Sequence, residues 1–252
     1  MKIGAQLFTV RDFTQTVSDF ALTIKKIAEI GYQTVQLSAV GKEVTNEIAG
    51  EICKEHGISI VLTHSDCDRI LHDTKQLIKE HEKMECRYVG LGAMPEKYRD
   101  SEWFPQFVKD FKEPARMIKE AGMQFMYHNH DFEFEKKKGG TLMERLLDAF
   151  SPEELGITLD TYWVHSAGCD VQQWISLCND RISCIHLKDI SMAGLKPHMA
   201  PVMEGNMNFP GIMESLKESC CEYALVEQDI CRESPFICLE KSYKNLKTLG
   251  YQ

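Results

Sequence analysis

The segment Phe20-Ala-Leu-Thr-Ile-Lys-Lys-Ile-Ala-Glu-Ile-Gly-Tyr-Gln-Thr-Val-Gln-Leu37 decides the fold, because it holds a helix, a glycine and a strand in that order. Apolar residues recur with helical spacing from Phe20 to Ile30. Gly31 follows at the position where glycine commonly ends a helix. The run Thr34–Leu37 then has the composition of a short buried strand. We therefore predict one helix–strand unit in this segment.

The same order recurs along the chain. Helical patterns over 47–56 and 107–121 are each followed by a glycine and then by a strand-like run. Strands are predicted near residues 2–8, 33–38, 58–63, 87–92, 123–128, 156–160, 182–187 and 223–227. Eight strands with a mean spacing of about 31 residues predict an α/β fold, a (β/α)8 TIM barrel in a single domain over 1–252. A doubly wound sheet is the alternative, but 8–12 lacks its glycine-rich loop.

The composition of the chain disfavours several classes of protein. The net charge of −9 disfavours a nucleic-acid-binding surface, which needs clustered Lys and Arg. The ten cysteines include no Cys-x-x-Cys pair, so we predict reduced cysteines in a cytoplasmic protein rather than a zinc–thiolate site. The N-terminal Met-Lys-Ile-Gly-Ala-Gln is unlike a signal peptide, and no apolar run approaches the roughly 20 residues of a membrane span. Residues 191–209 lack a helical pattern and are predicted as a long loop after strand seven.

Functional groups in such a barrel lie at the carboxyl ends of strands. The segment Cys184-Ile-His-Leu-Lys-Asp189 ends in an imidazole, an ammonium and a carboxylate. Asp160, His186 and Glu227 end three successive strands, which lie about 4.8 Å apart, so their side chains can converge on one cation. His128 at the end of strand five is the natural fourth ligand. Imidazole mixed with carboxylate suits a divalent ion such as Mn²⁺, Co²⁺, Fe²⁺ or Zn²⁺ better than Ca²⁺.

Each of these groups also has a purely structural interpretation. A lone strand-end histidine is often a hydrogen-bonded structural group, and a strand-end Asp often caps the next helix. Trp163 is as well explained by packing as by contact with a sugar. Lys188 is explained equally by an ion pair with Asp189 or Asp160. The presence of four such groups on successive strands nevertheless favours a shared metal site.

Five segments in this order resemble the xylose isomerase-like TIM barrel superfamily, the sugar phosphate isomerase/epimerase group. They are Tyr127-His-Asn-His-Asp-Phe-Glu-Phe134, Leu159-Asp-Thr-Tyr-Trp-Val164, Ile185-His-Leu-Lys-Asp189, Glu204-Gly-Asn206 and Val226-Glu-Gln-Asp229. The resemblance covers essentially the whole chain. It implies metal ligands Glu, Asp, His and Glu after strands five to eight. Asp160, His186 and Glu227 match the last three, while the first falls on His128. Whether His128 or Glu133 completes the site stays open.

The resemblance implies a divalent-metal-dependent isomerase or epimerase that acts on a keto-sugar or cyclitol through a metal-stabilised enediolate. Mn²⁺ is the expected metal, with Co²⁺, Zn²⁺ or Mg²⁺ as alternatives. The Tyr-His-Asn-His segment resembles the subgroup of inosose-processing enzymes and 3-keto-glycoside lyases, so a lyase or dehydratase is the alternative reaction. A non-catalytic sugar-binding subunit is a third hypothesis, and a metal-dependent apurinic endonuclease is disfavoured by the acidic charge.

Roles for single residues complete these expectations. We predict His130 as the catalytic base, because a near-neutral imidazole suits proton transfer, with Glu227 as the alternative base. Lys188 is expected to donate to a developing oxyanion or to a substrate oxygen. The residues expected to contact substrate are Gln6, Arg11, His64, Trp163 and Gln228. The expected partner is a small-molecule sugar or cyclitol, with no nucleic acid or membrane partner and a possible homo-oligomer.

Overall fold

The computed structural model describes residues 1–100 and 102–251. Its strands, in chain order, are β1 (Lys2–Gln6), β2 (Thr34–Leu37), β3 (Ser59–Ser65), β4 (Tyr88–Leu91), β5 (Gln124–His128), β6 (Gly156–Asp160), β7 (Cys184–Leu187), β8 (Asp189–Ala193), β9 (Lys196–Ala200) and β10 (Tyr223–Val226). Eight parallel strands close a barrel in the order β1-β10-β7-β6-β5-β4-β3-β2. The predicted (β/α)8 barrel is confirmed, and β10 is its eighth strand.

Helices surround this barrel and connect its strands. They are α1 (Val17–Ile30), α2 (Asn46–Glu55), α3 (Cys67–His72), α4 (Thr74–Lys83), α5 (Phe104–Glu120), α6 (Leu142–Ala149), α7 (Thr161–Ser166), α8 (Val171–Leu177), α9 (Phe209–Leu216) and α10 (Pro235–Thr248), with short 3-10 segments at Leu7–Phe13, Glu96–Tyr98 and Phe132–Phe134. Gly31 ends α1 with φ of 121°, a conformation that favours glycine, as the sequence predicts. Among the described residues, none of the helices combines the length and the apolar composition that a membrane span requires.

The barrel interior has an apolar layer and a polar layer. Leu62, Met126, Cys184 and Leu225 belong to one buried apolar cluster inside the barrel. Side chains two positions further along the same strands share the inward direction. These positions are occupied by His64, His128, His186 and Glu227. The polar layer therefore lies at the carboxyl end of the barrel, where the fold places functional groups.

The loop predicted over 191–209 is wrong in its first half. Residues 189–200 form the antiparallel hairpin β8–β9, whose turn includes Gly194 with φ of 62°. The following chain is held by Asp189, whose carboxylate accepts N–H bonds of 2.8–3.2 Å from Ile190, Met203, Gly205 and Met207. The hairpin was not predicted because Gly194 and Pro197 lie within it, and both residue types are more typical of loops than of strands.

Replacement of Asp189 tests this anchoring. We expect Asp189→Ala to lower the free energy of unfolding by about 2–3 kcal/mol, because several N–H groups lose their charged acceptor. Urea denaturation followed by circular dichroism measures the change. The exposed Asp148→Ala is the matched control and should stay within about 0.5 kcal/mol of wild type. Equal stability of the two variants would show that Asp189 does not hold the loop.

Candidate metal and substrate site

Four side chains that can bind a metal ion converge at the carboxyl ends of β5, β6, β7 and β10. One ligand atom each of His128, Asp160, His186 and Glu227 lies within 4.8 Å of the others. The strand register brings them together, because Asp160 pairs with His186 across β6 and β7. All four side chains are buried. The fold thus gathers the four residues that were predicted as metal ligands, and we call them the metal cluster.

In each of the two imidazoles of the metal cluster, the ring nitrogen that points away from the cluster makes a hydrogen bond that fixes the orientation of the ring. His128 Nδ1 donates to the carbonyl oxygen of Gly92 at 2.9 Å, and His186 Nε2 donates to Gln36 Oε1 at 2.6 Å. The other nitrogen of each ring faces the cluster, and His186 Nδ1 lies 2.9 Å from Glu227 Oε2. Histidines that bind metals in proteins are usually oriented by such an outer hydrogen bond.

A buried ammonium lies beside the metal cluster. Lys188 Nζ is 3.1 Å from Asp160 Oδ2, 3.0 Å from Glu227 Oε2 and 2.8 Å from Asp229 Oδ1. Of the two ion pairs considered for Lys188, the pair with Asp160 is present, whereas Asp189 binds backbone N–H groups. The buried carboxylates of Asp160 and Glu227 and the half-buried carboxylate of Asp229, beside one ammonium, leave an excess of negative charge. A divalent cation would offset that excess.

The charges keep both cluster carboxylates ionised. Burial alone would raise the pKa of Asp160, but Lys188 and hydrogen bonds from the imidazoles hold it well below its ordinary value. The pKa of Glu227 is lowered for the same reasons, again against burial. Burial disfavours a charged His186, yet the facing carboxylates raise the pKa of this ring. Ionised carboxylates and imidazole nitrogens are donors that divalent transition metals accept, so the cluster fits such an ion.

Comparison with known proteins places this geometry in a family. The family model described as "Xylose isomerase-like TIM barrel" matches residues 24–229. The chain belongs to this family. Among curated proteins, inosose dehydratase of Lacticaseibacillus casei is 26% identical over 167 residues, which cover 59% of this chain and 55% of that protein. The match therefore spans about half the length of the curated relative.

Solved structures share the fold of this xylose isomerase-like barrel at low sequence identity. A sugar phosphate isomerase/epimerase from Parabacteroides distasonis superposes with a TM-score of 0.79 at 20% identity, covering 98% of this chain and 93% of the other. The probable 3-DHS dehydratase from Bacillus anthracis gives 0.76 at 16%, covering 98% and 99%. An L-ribulose 3-epimerase gives 0.74 at 15%, covering 99% and 94%.

Three predicted site residues adjoin the metal cluster. The ring centroids of His64 and His130 lie 5.2 and 4.8 Å from that of His128, and Trp163 lies 5.4 Å from His130. Each offers a buried nitrogen without a hydrogen-bond partner among the described residues, namely His64 Nε2, His130 Nδ1 and Trp163 Nε1. Such atoms gain free energy when a ligand supplies the missing bond. Substrate hydroxyl groups are suitable partners for them.

The other predicted substrate contacts differ in their surroundings. Gln6 Nε2 and Gln228 Oε1 are buried and likewise lack a partner within the described chain. Arg11 Nη1 instead donates to the carbonyl oxygens of Phe8 and Asp229 at 2.9 and 3.0 Å. Arg11 therefore stabilises the loop after β10 through a hydrogen bond to its backbone. Contact of these three side chains with substrate stays a prediction.

Glu133 does not point into the metal cluster. Its Oε1 accepts a hydrogen bond from Tyr127 Oη at 2.5 Å, and its Oε2 accepts one from the backbone N–H of His130 at 2.9 Å. His128, and not Glu133, therefore places a donor atom in the cluster. The buried carboxylate of Glu133 instead holds the segment after β5 in the position that brings His130 beside His128.

Burial of Glu133 predicts a measurable pH dependence of stability. Burial raises the pKa of this carboxyl from its ordinary 4.5 to about 7. Because the folded protein keeps this proton longer than the unfolded chain, its contribution is complete below pH 4.5 and is lost as pH rises through about 7. We expect Glu133→Gln to remove a decline of about 3 kcal/mol across this window. Urea denaturation at several pH values measures it, with exposed Glu55→Gln as control; matching curves for wild type and Glu133→Gln would contradict the expectation.

Some contributors to the site carry little sequence signal. The carbonyl of Gly92 orients His128, and a Cβ at this position would lie 2.9 Å from His64 Nδ1. Gln36 and Asp229 lie at or just beyond the ends of predicted strands, but the sequence did not predict a function for either residue. Their signal was position alone, since polar residues there tend to face the barrel mouth.

Proposed function

We propose that this chain is a divalent-metal-dependent isomerase or epimerase that moves a proton on a carbon next to the carbonyl of a keto-sugar or cyclitol. The observation that carries the proposal is the buried metal cluster with the imidazole of His130 beside it. His128, Asp160, His186 and Glu227 would hold the ion, with Mn²⁺ as the first choice. A bound divalent ion supplies Lewis-acid polarisation of the carbonyl.

His130 is the proposed base. Burial, and then the neighbouring His128, lower the pKa of His130 to about 3, so the ring is neutral throughout the physiological range. Its Nδ1 has no partner among the described residues and is available to accept a proton. Lys188 lies within reach of the same space, 5.6 Å above the ring of Trp163, and can donate a hydrogen bond to an oxygen that gains charge.

A lyase is the second candidate. Two observations favour it: His128 occupies the position where a glutamate is usual in the family, which removes one carboxylate acid/base, and the curated relative is an inosose dehydratase. Elimination of a β-hydroxyl or β-alkoxyl group begins with removal of the same α-proton, so His130 serves both reactions. The product distinguishes them, because only the lyase yields an unsaturated ketone.

A substrate panel tests the proposal. Purified protein loaded with Mn²⁺ or Co²⁺ is incubated with ketoses, inososes and 3-keto-glucosides in deuterium oxide, and NMR records deuterium uptake and products. We expect uptake at the carbon next to the carbonyl for at least one class. Absence of uptake, epimer and elimination product across the panel, with metal bound, would refute the enzymatic assignment and leave the sugar-binding subunit.

The role of His130 has its own test. We expect His130→Ala to reduce deuterium uptake by about 100-fold or more, as loss of a general base does, while Mn²⁺ stays bound. His165→Ala, on α7 outside the cluster, is the control. Uptake within a few-fold of wild type in His130→Ala would move the base to Glu227.

A further inference from the structure

Two glutamines lie side by side inside the barrel, at the carboxyl ends of β1 and β2. Gln6 is the register partner of Gln36 across these parallel strands, which lie about 4.8 Å apart. A Cβ at Gly4, two positions before Gln6, would meet Leu225 of the apolar layer. Because alternate residues of a strand share a face, Gln6 also points inward. Gln36 points inward as well, since it contacts His186.

Each of these two amides has its oxygen bound and its nitrogen free. Gln6 Oε1 accepts a hydrogen bond from the backbone N–H of Phe8 at 3.1 Å, and Gln36 Oε1 accepts one from His186 Nε2 at 2.6 Å. Both side chains are fully buried, and neither Nε2 atom has a partner within the described part of the chain. Two neighbouring buried NH2 groups, which can only donate, therefore gain free energy from acceptors that a ligand supplies.

We propose that Gln6 and Gln36 form a pair of hydrogen-bond donors, the donor pair, for two neighbouring oxygen atoms of an uncharged, unphosphorylated keto-sugar or cyclitol. The assignment rests on the proposed function, whose substrate it narrows. Gln36 contacts His186, and Gln6 lies next to Glu227, since the preceding residues of β1 and β10 are register partners. A substrate whose carbonyl lies at the metal cluster can therefore reach the donor pair with oxygens further along its ring or chain.

The loop after β9 argues against a phosphorylated substrate. TIM barrels frequently bind phosphate groups in the loops that follow their seventh and eighth strands. In this barrel the carboxylate of Asp189 accepts N–H bonds of 3.0–3.2 Å from Met203, Gly205 and Met207 in that region. A Cβ at Gly205 would lie only 2.3 Å from Asp189 Oδ1, so the carboxylate fills the space beside the backbone. An internal anion thus occupies the N–H groups that a phosphate would use there.

The charges around the metal cluster also favour an uncharged substrate. Lys188 Nζ lies 2.8–3.1 Å from oxygens of three carboxylates, those of Asp160, Glu227 and Asp229. This ammonium and one divalent ion together would carry as much positive charge as the three carboxylates carry negative charge. A phosphate dianion would disturb that balance, whereas amide NH2 groups bind neutral oxygen atoms without changing it.

Substitutions that keep the internal hydrogen bonds separate the donor role from a structural one. Gln6→Glu and Gln36→Glu can still accept the bonds from Phe8 and His186, but each lacks its NH2 group. We expect each to weaken binding of a neutral probe by about tenfold, while Mn²⁺ binds at least as tightly as in wild type. Gln36→Met also loses the bond to His186, so it should in addition weaken Mn²⁺ binding by about tenfold or more. The exposed Gln173→Met on α8 is the control and should match wild type.

Isothermal titration calorimetry of the Mn²⁺-loaded full chain measures these affinities. The neutral probes are scyllo-inosose, 3-keto-glucose and D-fructose, and the phosphorylated probe is D-fructose 6-phosphate. We expect at least one neutral probe to bind, and D-fructose 6-phosphate to bind at least tenfold more weakly than the tightest of them. Tighter binding of the phosphorylated probe would overturn the proposal. Affinities within threefold of wild type in both glutamate variants would also overturn it, because a purely structural role of the two amides predicts that result.

Deuterium uptake into the bound probe separates this inference from the proposed function. Uptake in wild type, together with unchanged probe affinity in both glutamate variants, would refute the donor pair and leave the proposed function standing. Probe binding that needs both amides, without uptake, would support the donor pair and refute the proposed reaction. If no neutral probe binds the Mn²⁺-loaded protein, both assignments fail.

Discussion

Replacement of Asp160 by asparagine should abolish Mn²⁺ retention and reduce turnover by about 1,000-fold, a loss of about 4 kcal/mol in transition-state stabilisation. Asp160 faces His128, His186 and Lys188 through Oδ2, so the amide removes a charge from the centre of the cluster. An asparagine oxygen can still accept the N–H bond of Trp163 that caps α7. The fold should therefore survive the substitution.

Asp170 provides the matched control for this substitution. It caps α8 through an N–H bond from Gln173, as Asp160 caps α7, but it is exposed and lies outside the metal cluster. Asp170→Asn should keep its metal and its activity. Inductively coupled plasma mass spectrometry after gel filtration measures the metal, and thermal unfolding checks the fold. Full metal occupancy in Asp160→Asn would remove Asp160 from the ligand set.

Replacement of Lys188 by methionine should destabilise the metal-free protein by about 3–5 kcal/mol. The ammonium is buried among the carboxylates of Asp160, Glu227 and Asp229, and its removal leaves their charges uncompensated. Methionine has a similar length and preserves packing. A divalent ion in the metal cluster would restore positive charge, so Mn²⁺ should stabilise this variant more than it stabilises wild type.

Urea denaturation in EDTA and in saturating Mn²⁺ measures both effects. The exposed Lys75→Met on α4 is the control and should match wild type in each condition. Equal stability of Lys188→Met and Lys75→Met in EDTA would show that the ammonium is not needed to balance the carboxylates. Destabilisation that Mn²⁺ leaves unchanged would show that the ion does not bind beside them.

The barrel fold could be predicted from the sequence because the patterns that indicate its helices and strands are local. The periodicity before Gly31 and the apolar runs after each glycine need no knowledge of distant contacts. The convergence of Asp160, His186 and Glu227 was also predictable, since residues at the ends of neighbouring parallel strands must lie close together. His128 was predictable as the fourth ligand for the same reason, while the family resemblance, which implies a glutamate at that position, raised the question of whether His128 or Glu133 completes the site.

Other features depend on contacts that no local pattern records. The carbonyl of Gly92 orients His128, but every residue has a carbonyl, so the sequence gives no sign of it. Arg11 carries the same charge whether it binds a substrate or the backbone of Asp229. Three of the four N–H bonds to Asp189 arise from the path of the chain over 203–207. The homo-oligomer stays a prediction from the family resemblance.

Diffraction at the manganese edge from crystals soaked in Mn²⁺ tests the central claim most directly. We expect one strong anomalous peak at the carboxyl end of the barrel, about 2.0–2.3 Å from His128 Nε2, His186 Nδ1 and carboxylate oxygens of Asp160 and Glu227. The Asp160→Asn crystal should lack it. A peak elsewhere, or none at saturating Mn²⁺, would contradict the assignment of these four residues as a metal site.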